Sequence, residues 1–159
     1  MQTDDIWKLL EEVNDPEVPV LSIIDLGIVR DVILNKDSCE VTITPTYTGC
    51  PAMKVIEEEI VNKISNLNIS VQINTTLSPA WTTDWISTNG RKKLENYGIA
   101  PPQNEPDKAV LFSDPPVIPC PICKSKNTKL ISQFGSTACK AHYQCISCLE
   151  PFDYFKCLK

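Results

Sequence analysis

The sequence predicts an α+β protein in two parts, a small three-stranded sheet packed with helices followed by a zinc-bound β-ribbon. Three observations predict it. Residues 1–98 alternate helical with strand periodicities in the order α-β-β-α-β-α, residues 99–119 hold six prolines, and the residues beyond them hold two Cys-x-x-Cys units.

In residues 3–13, Ile6, Leu9, Leu10 and Val13 recur at helical spacing, and Asp4 and Asp5 stand in the first turn, where the helix dipole favours negative charge. This helix should stop before Asp15-Pro16, because a residue preceding proline is pushed out of the α region. Residues 16–27 then read as an ordered loop. The runs GIVRDVILN and CEVTITPT, separated by Lys36-Asp37-Ser38, read as an antiparallel hairpin; Val41 and Ile43 alternate with Glu40, Thr42 and Thr44, which buries one face. After Tyr47-Thr48-Gly49-Cys50, Pro51 can take the first position of a second helix, where a missing N–H costs nothing. Met53, Ile56, Ile60, Ile64 and Leu67 mark its apolar stripe, with Glu57 and Glu58 facing outward.

The run ISVQINTTL alternates Ile69, Val71 and Ile73 with Ser70, Gln72 and Asn74 and is a third strand. Residues 83–97, with Trp85, Ile86 and Leu94, read as a third helix capped by Gly98. Pro101, Pro102, Pro106, Pro115, Pro116 and Pro119 exclude regular structure and favour an extended spacer. The expected organisation is a first domain at residues 1–98, a linker at 99–117 and a ribbon at 118–159.

The composition, 42% hydrophobic and 22% charged over 159 residues, is globular, and no run approaches the roughly 20 apolar residues that span a bilayer. The N-terminal MQTDDIWKLLEEVND is acidic and amphipathic, unlike a secretory signal, so a cytoplasmic location is expected. In that compartment eight cysteines are metal ligands, redox thiols or packing residues rather than a disulfide framework. The net charge of −5 hides an asymmetry: residues 1–117 carry nine Lys/Arg against eighteen Asp/Glu, whereas residues 118–159 carry six Lys against Glu150 and Asp153. An acidic body does not suit a phosphate backbone.

Cys120-Pro-Ile-Cys123 and Cys145-Ile-Ser-Cys148 are separated by twenty-one residues. Each unit is a turn that presents two thiolates on one face, and two such turns satisfy tetrahedral zinc with four protein ligands. The resulting zinc is structural, because no coordination position stays open. A tail of this size buries too little apolar area to offset its ordering entropy, so metal ligation supplies much of its folding free energy. The same four sulfurs also suit an iron–sulfur cluster, and two unrelated redox motifs give the same pattern. Cys139 and Cys157 read either as small buried side chains or as a metal or redox pair, with His142 a third candidate ligand.

Cys50 stands at the start of the second helix, where backbone N–H groups and the dipole stabilise a thiolate and lower its pKa. A thiolate there can ligate a soft metal, and the alternative is an inert turn residue. For Asp15, Glu17 and Asp25 in the preceding loop, the default role is turn and capping duty. No nucleophile and base pair, Gly-rich phosphate loop or His-rich oxygen-activating site is visible.

The run DPEVPVLSIIDLGIVRDV, followed by VTITPTYTGCP, resembles the SufT-like family of small iron–sulfur cluster assembly domains, with its D-P-E-x-P, D-L-G and T-x-x-C-P elements. The segments WTTDWISTNGRKKLENYGIAPP and CPICKSKNTKLISQFGSTACKAHYQCISCLEPFDYFKC are similar to the PaaD (PaaJ) subfamily, whose members serve aerobic phenylacetate catabolism. The resemblance implies a non-catalytic accessory factor that matures the iron–sulfur or di-iron centres of the multicomponent phenylacetyl-CoA epoxidase. It places the assembly-family cysteine on Cys50, holding iron or a cluster in transit, and the acidic motif on Asp15, Pro16, Glu17 and Asp25. It also implies that the partners are epoxidase components. Two alternatives stand beside it: a stable non-catalytic subunit of the epoxidase complex, and a nucleic-acid-binding zinc ribbon. Four thiolates with Zn²⁺ carry a formal −2 that offsets half of the tail's excess of cations, which weighs against the last.

Overall fold

The computed structural model describes residues 1–103 and 114–157. The chain divides into two compact units, Met1–Gly90 and Arg91–Lys159.

In the first unit, α1 (Thr3–Leu10) buries Ile6 and Leu10, and the Gln2 N–H donates to Asp5 Oδ2 at 2.8 Å across its first turn. The helix ends three residues earlier than its apolar spacing suggests. Val13 is nevertheless fully buried, because a turn carries it inward and its carbonyl accepts from Ile23 N at 2.9 Å. The loop that follows is a folded strap: Asn14 bridges Ser22, Asp15 N donates to Leu21 O at 2.9 Å, and Leu21, Ile23, Leu26 and Ile28 are all buried. Such a strap must satisfy its own backbone polar groups, since no regular ladder does so.

Strands β1 (Val29–Leu34) and β2 (Ser38–Ile43) form the expected hairpin, in the register Val32↔Val41 and Leu34↔Cys39 with a bulge between Val29 and Asp31. Strand β3 (Ser70–Thr75) pairs parallel to β2, so the sheet order is β1-β2-β3. A parallel neighbour requires a crossover, and α2 (Ala52–Ser65) supplies it. Ala52, Ile56, Ile60 and Ile64 form its buried stripe; Leu67, expected to extend the stripe, is exposed beyond the helix end. Pro51 is the N-cap, one position before its expected place.

The expected single helix over residues 83–97 is two elements, a 3₁₀ turn at Thr83–Trp85 and α3 (Thr88–Tyr97). Asp25 explains the break. Its carbonyl accepts from Ser87 N at 2.8 Å and its Oδ1 from Ser87 Oγ at 3.1 Å, while Ser87 Oγ accepts from Gly90 N at 2.9 Å. Ser87 therefore caps α3, and Ile86 must be extended (ψ 127°) to deliver it. Gly98 closes α3 with φ +92°, as its position predicts.

The second unit is a four-stranded sheet of order β4-β7-β6-β5, from β4 (Ile99–Ala100), β5 (Thr128–Ser132), β6 (Lys140–Cys145) and β7 (Pro151–Phe155). The first residues assigned to a linker thus belong to this sheet: Ile99 and Ala100 are buried and pair with Asp153 and Tyr154. Pro101 then ends the strand. At the far end of the expected linker, Pro116 O accepts from Tyr143 Oη at 3.2 Å and Ile118 is fully buried. Residues 104–113 of that segment lie outside the described residues. The ribbon core is small: Ala100, Ile118, Ala141, Tyr143, Phe152 and Tyr154 pack with two of the cysteines, and the Tyr143 ring lies 5.8 Å from that of Phe152.

Of the glycines in the first unit, Gly27 has the closest neighbour. It holds φ +70°, and a Cβ there would stand 2.6 Å from Trp85 O. Gly49 holds φ +78° with nothing near the corresponding position. Gly27→Ala should therefore destabilise the protein by at least about 2 kcal/mol, against about 1 kcal/mol for Gly49→Ala, where only the left-handed backbone is strained. Urea unfolding followed by tryptophan fluorescence reads the difference, and equal midpoints would contradict the close approach.

Candidate metal centres

The two Cys-x-x-Cys turns are built alike. Cys120 N donates to Ser125 O at 2.9 Å and Cys145 N to Glu150 O at 3.0 Å, each spanning a turn whose residue after the second cysteine is left-handed, Lys124 at φ 63° and Leu149 at φ 66°. A side-chain hydrogen bond between Ser125 and Ser147, 2.7 Å, ties the turns together. The β5–β6 ladder ends by pairing Thr128 with Cys145, which brings the second turn up to the first.

The four sulfurs of Cys120, Cys123, Cys145 and Cys148 lie within 4.8 Å of one another. Cys120 Sγ is 3.8 Å from Cys148 Sγ, and Cys123 Sγ is 3.5 Å from Cys145 Sγ. The edge of a tetrahedron with Zn–S of about 2.3 Å is about 3.8 Å, so the set is already near zinc geometry. The Cys148 N–H, 3.5 Å from Cys145 Sγ, leads the contacts that pull the Cys145 thiol down to about 7. The Glu150 N–H acts in the same sense on Cys148, but desolvation and the neighbouring sulfurs outweigh it and push that thiol up to about 12. Four sulfurs this close cannot all ionise without a cation among them, and zinc is such a cation. The donor set therefore fits a structural zinc with no open position.

Cys50 is buried just before α2, with Ala52 N–H and the Thr46 and Tyr47 side chains directed at its sulfur. Helix position predicts a depressed pKa, and the structure reverses that expectation. Burial raises the thiol pKa most, Glu17 adds to the rise, and the hydrogen bonds only oppose it. The Tyr47 hydroxyl, 3.5 Å from Glu17 Oε1, stands between carboxylate and sulfur. Cys50, Tyr47 and Glu17 thus converge.

The other two acidic residues are hydrogen-bonded within the strap and to the start of α3. Asp15 Oδ1 accepts from Glu17 N at 2.7 Å and Val18 N at 2.9 Å, a turn that presents Glu17. Asp25 is committed to Ser22, Ser87 and Asn89. At the end of β2, Thr44 is buried with no partner for its Oγ1 among the described residues, which costs on the order of 1–3 kcal/mol. Sequence reasoning missed Tyr47, Ser87 and Asn89 as contributors. Tyr47 lies in the turn before Cys50, but only the tertiary contact with the strap reveals its role.

Cys139 and Cys157 are buried, with Thr137 Oγ1 3.0 Å from Cys139 Sγ, and His142 Nδ1 lies 3.3 Å from Asp153 Oδ1. Among the described residues they join no second group of three or more metal-ligating side chains.

Removal of zinc should unfold the ribbon and leave the first unit folded. All three tryptophans, Trp7, Trp81 and Trp85, lie in the first unit. A strong chelator, or Cys145→Ser, should release stoichiometric zinc and abolish amide protection in β6 while tryptophan emission stays native. Zinc retention in the serine variant, or protection of β6 in the apo protein, would show that the ligand set is wrong.

Comparison with known proteins bears on both centres. Residues 3–75 match the family model of an iron–sulfur cluster assembly protein, and residues 104–156 match that of the PaaD zinc beta ribbon domain. A relative from Escherichia coli, named as a subunit of the 1,2-phenylacetyl-CoA epoxidase, is 48% identical over 99% of this chain and 94% of its own length. An "Fe-S protein maturation auxiliary factor" of Porphyromonas gingivalis is 35% identical over 59% of this chain and 92% of its own. A crystal structure of a DUF59 domain from Bacillus anthracis superposes with TM-score 0.55 at 26% identity, covering 58% of this chain and 90% of that one. An assembly domain and a PaaD ribbon in one chain, with near full-length similarity to the E. coli protein, make this chain a member of the PaaD family.

Proposed function

We propose that the protein is a non-catalytic accessory factor of the phenylacetyl-CoA epoxidase, acting in the cytoplasm to assist assembly of the iron–sulfur or di-iron centres of its components, with Cys50 as the residue that contacts the metal in transit. The observation that carries this reading is a single buried thiol beside Glu17 and Tyr47, in a domain of the iron–sulfur assembly family fused to a zinc ribbon. A lone sulfur with a neighbouring carboxylate can hold and release a soft metal. It lacks the paired base and nucleophile of a hydrolytic or transfer site. No described helix is long and apolar enough to cross a membrane.

A raised Cys50 pKa suits a carrier. At neutral pH the thiol is protonated, so metal binding must displace a proton, and affinity falls as the medium acidifies. Asp15 and Asp25 hold the strap that carries Glu17, and we assign them positioning roles in this site.

The name of the E. coli relative favours a second reading, a stable structural subunit of the epoxidase. The two readings separate when already metallated components are reconstituted without this protein: full activity supports the maturation role, and lost activity the subunit role.

Cys50→Ser should fold with a penalty of about 1 kcal/mol, keep its ribbon zinc, and fail to support growth on phenylacetate as the only copy. Normal growth would remove Cys50 from the mechanism. The thiol's surroundings give a second check by alkylation rate against pH. Glu17→Gln removes a charge that disfavours thiolate and should shift the profile to lower pH; Tyr47→Phe removes a hydrogen bond that favours it and should shift the profile to higher pH. Identical profiles in the two variants would contradict the convergence of the three residues.

A further inference from the structure

The sheet edges of this protein differ in how they are protected. Strand β1 carries a bulge and the charged Arg30 and Asp31. Strand β5 carries Lys129 and a register shift between Leu130 and Ser132, and β4 is only two residues long. Bulges, edge charges and short strands are the devices that prevent unwanted strand pairing. Strand β3, six residues of SVQINT, has none: it holds no charge or proline, and its register against β2 runs unbroken from Ser70 to Thr75.

Its backbone polarity follows from that register. Ser70 N donates to Asp37 O at 3.0 Å and Thr76 N to Ile43 O at 2.9 Å. In a parallel ladder alternate residues face the partner strand, so the N–H and C=O groups of Val71, Ile73 and Thr75 point away from β2. Beside this edge runs an open groove of about 460 Å³ lined by Glu57, Glu58, Val61, Asn62 and Ile73. Glu59 is exposed on the same helix, and residues 1–117 hold twice as many acidic as basic side chains.

We propose that β3 is a docking edge for an extended, basic segment of a partner protein, which adds a fourth strand to the sheet and lays its cationic side chains along Glu57 and Glu58. The acidic groove argues against a second copy of this chain, since edge-to-edge pairing would bring two carboxylate clusters together. The surface shares no residue with the surroundings of Cys50 and stands whether or not that residue handles metal.

The test uses the full chain and a blocked peptide alternating lysine and valine over seven residues, with the glutamate-for-lysine peptide as its counterpart. Amide exchange by NMR should show Val71, Ile73 and Thr75 gaining protection with the lysine peptide only. Thr75→Pro deletes an outward N–H without touching the β2 ladder, and Glu57→Lys with Glu58→Lys reverses the groove charge; each should weaken binding at least tenfold, while Glu11→Lys leaves it unchanged. Should Thr75→Pro not fold, the charge-reversed variant carries the test alone. The proposal falls if those three amides gain no protection, if both peptides bind alike, or if charge reversal leaves binding intact. It falls equally if the edge becomes protected with rising protein concentration and no peptide, since a second copy would then be the occupant.

Discussion

Asp25 is a carboxylate buried to 7% exposure, and its backbone and side chain together join two segments more than sixty residues apart. One oxygen takes the Ser22 hydroxyl within the strap, the other takes Ser87 and Asn89 at the entry to α3, and Gly90 approaches so closely that a Cβ there would lie 3.1 Å from that of Asp25. A buried carboxyl group is tolerated only when its oxygens are hydrogen-bonded, so this clasp constrains both segments at once. It breaks what would otherwise be one helix, and it holds the 3₁₀ turn whose Trp85 covers Gly27 and stacks under the Arg30 guanidinium, 3.7 Å from the ring centroid. The strap so fixed carries Glu17 to the turn that holds Cys50.

The ribbon meets the same need for order by different chemistry. Its core has few large side chains, and the segment from Pro116 to Ile118 is tied to it by the Tyr143 hydroxyl and by Thr128 Oγ1, which donates to Ile118 O at 2.7 Å. Those contacts set the frame in which two turns of like geometry face each other. The four sulfurs then have a shared charge problem that a divalent soft cation resolves, which is why metal binding and folding are one event in such small units. Parallel pairing of β4 with β7 brings Ile99 and Ala100 into the same sheet, so the ribbon's structural unit begins before the prolines rather than after them.

Two opposing effects meet at Cys50, and their magnitudes decide its resting state. The start of a helix and two side-chain hydrogen bonds favour the thiolate, whereas burial and the Glu17 charge favour the thiol. Burial dominates because a sulfur anion loses most of its hydration there while a few weak donors return only part of it. A cysteine so placed rests as the thiol, the less nucleophilic and less readily oxidised form.

Where the physics is local, the residues themselves determined the outcome. Helical spacing of Ile56, Ile60 and Ile64, alternation in β2, the left-handed Gly98 and the paired Cys-x-x-Cys turns each depend on neighbours a few positions away, and each is legible in the amino-acid sequence alone. What only the tertiary structure decided depends on partners far along the chain. Asp25 captures Ser87 and breaks a helix that its own periodicity favoured, and β4 becomes a strand because β7 offers an edge. The Cys50 thiol is raised because folding removes water from it, a quantity no spacing encodes. Short-range geometry is set by the covalent chain and the side chains adjoining each position, whereas burial and long-range hydrogen bonding exist only once the segments have met.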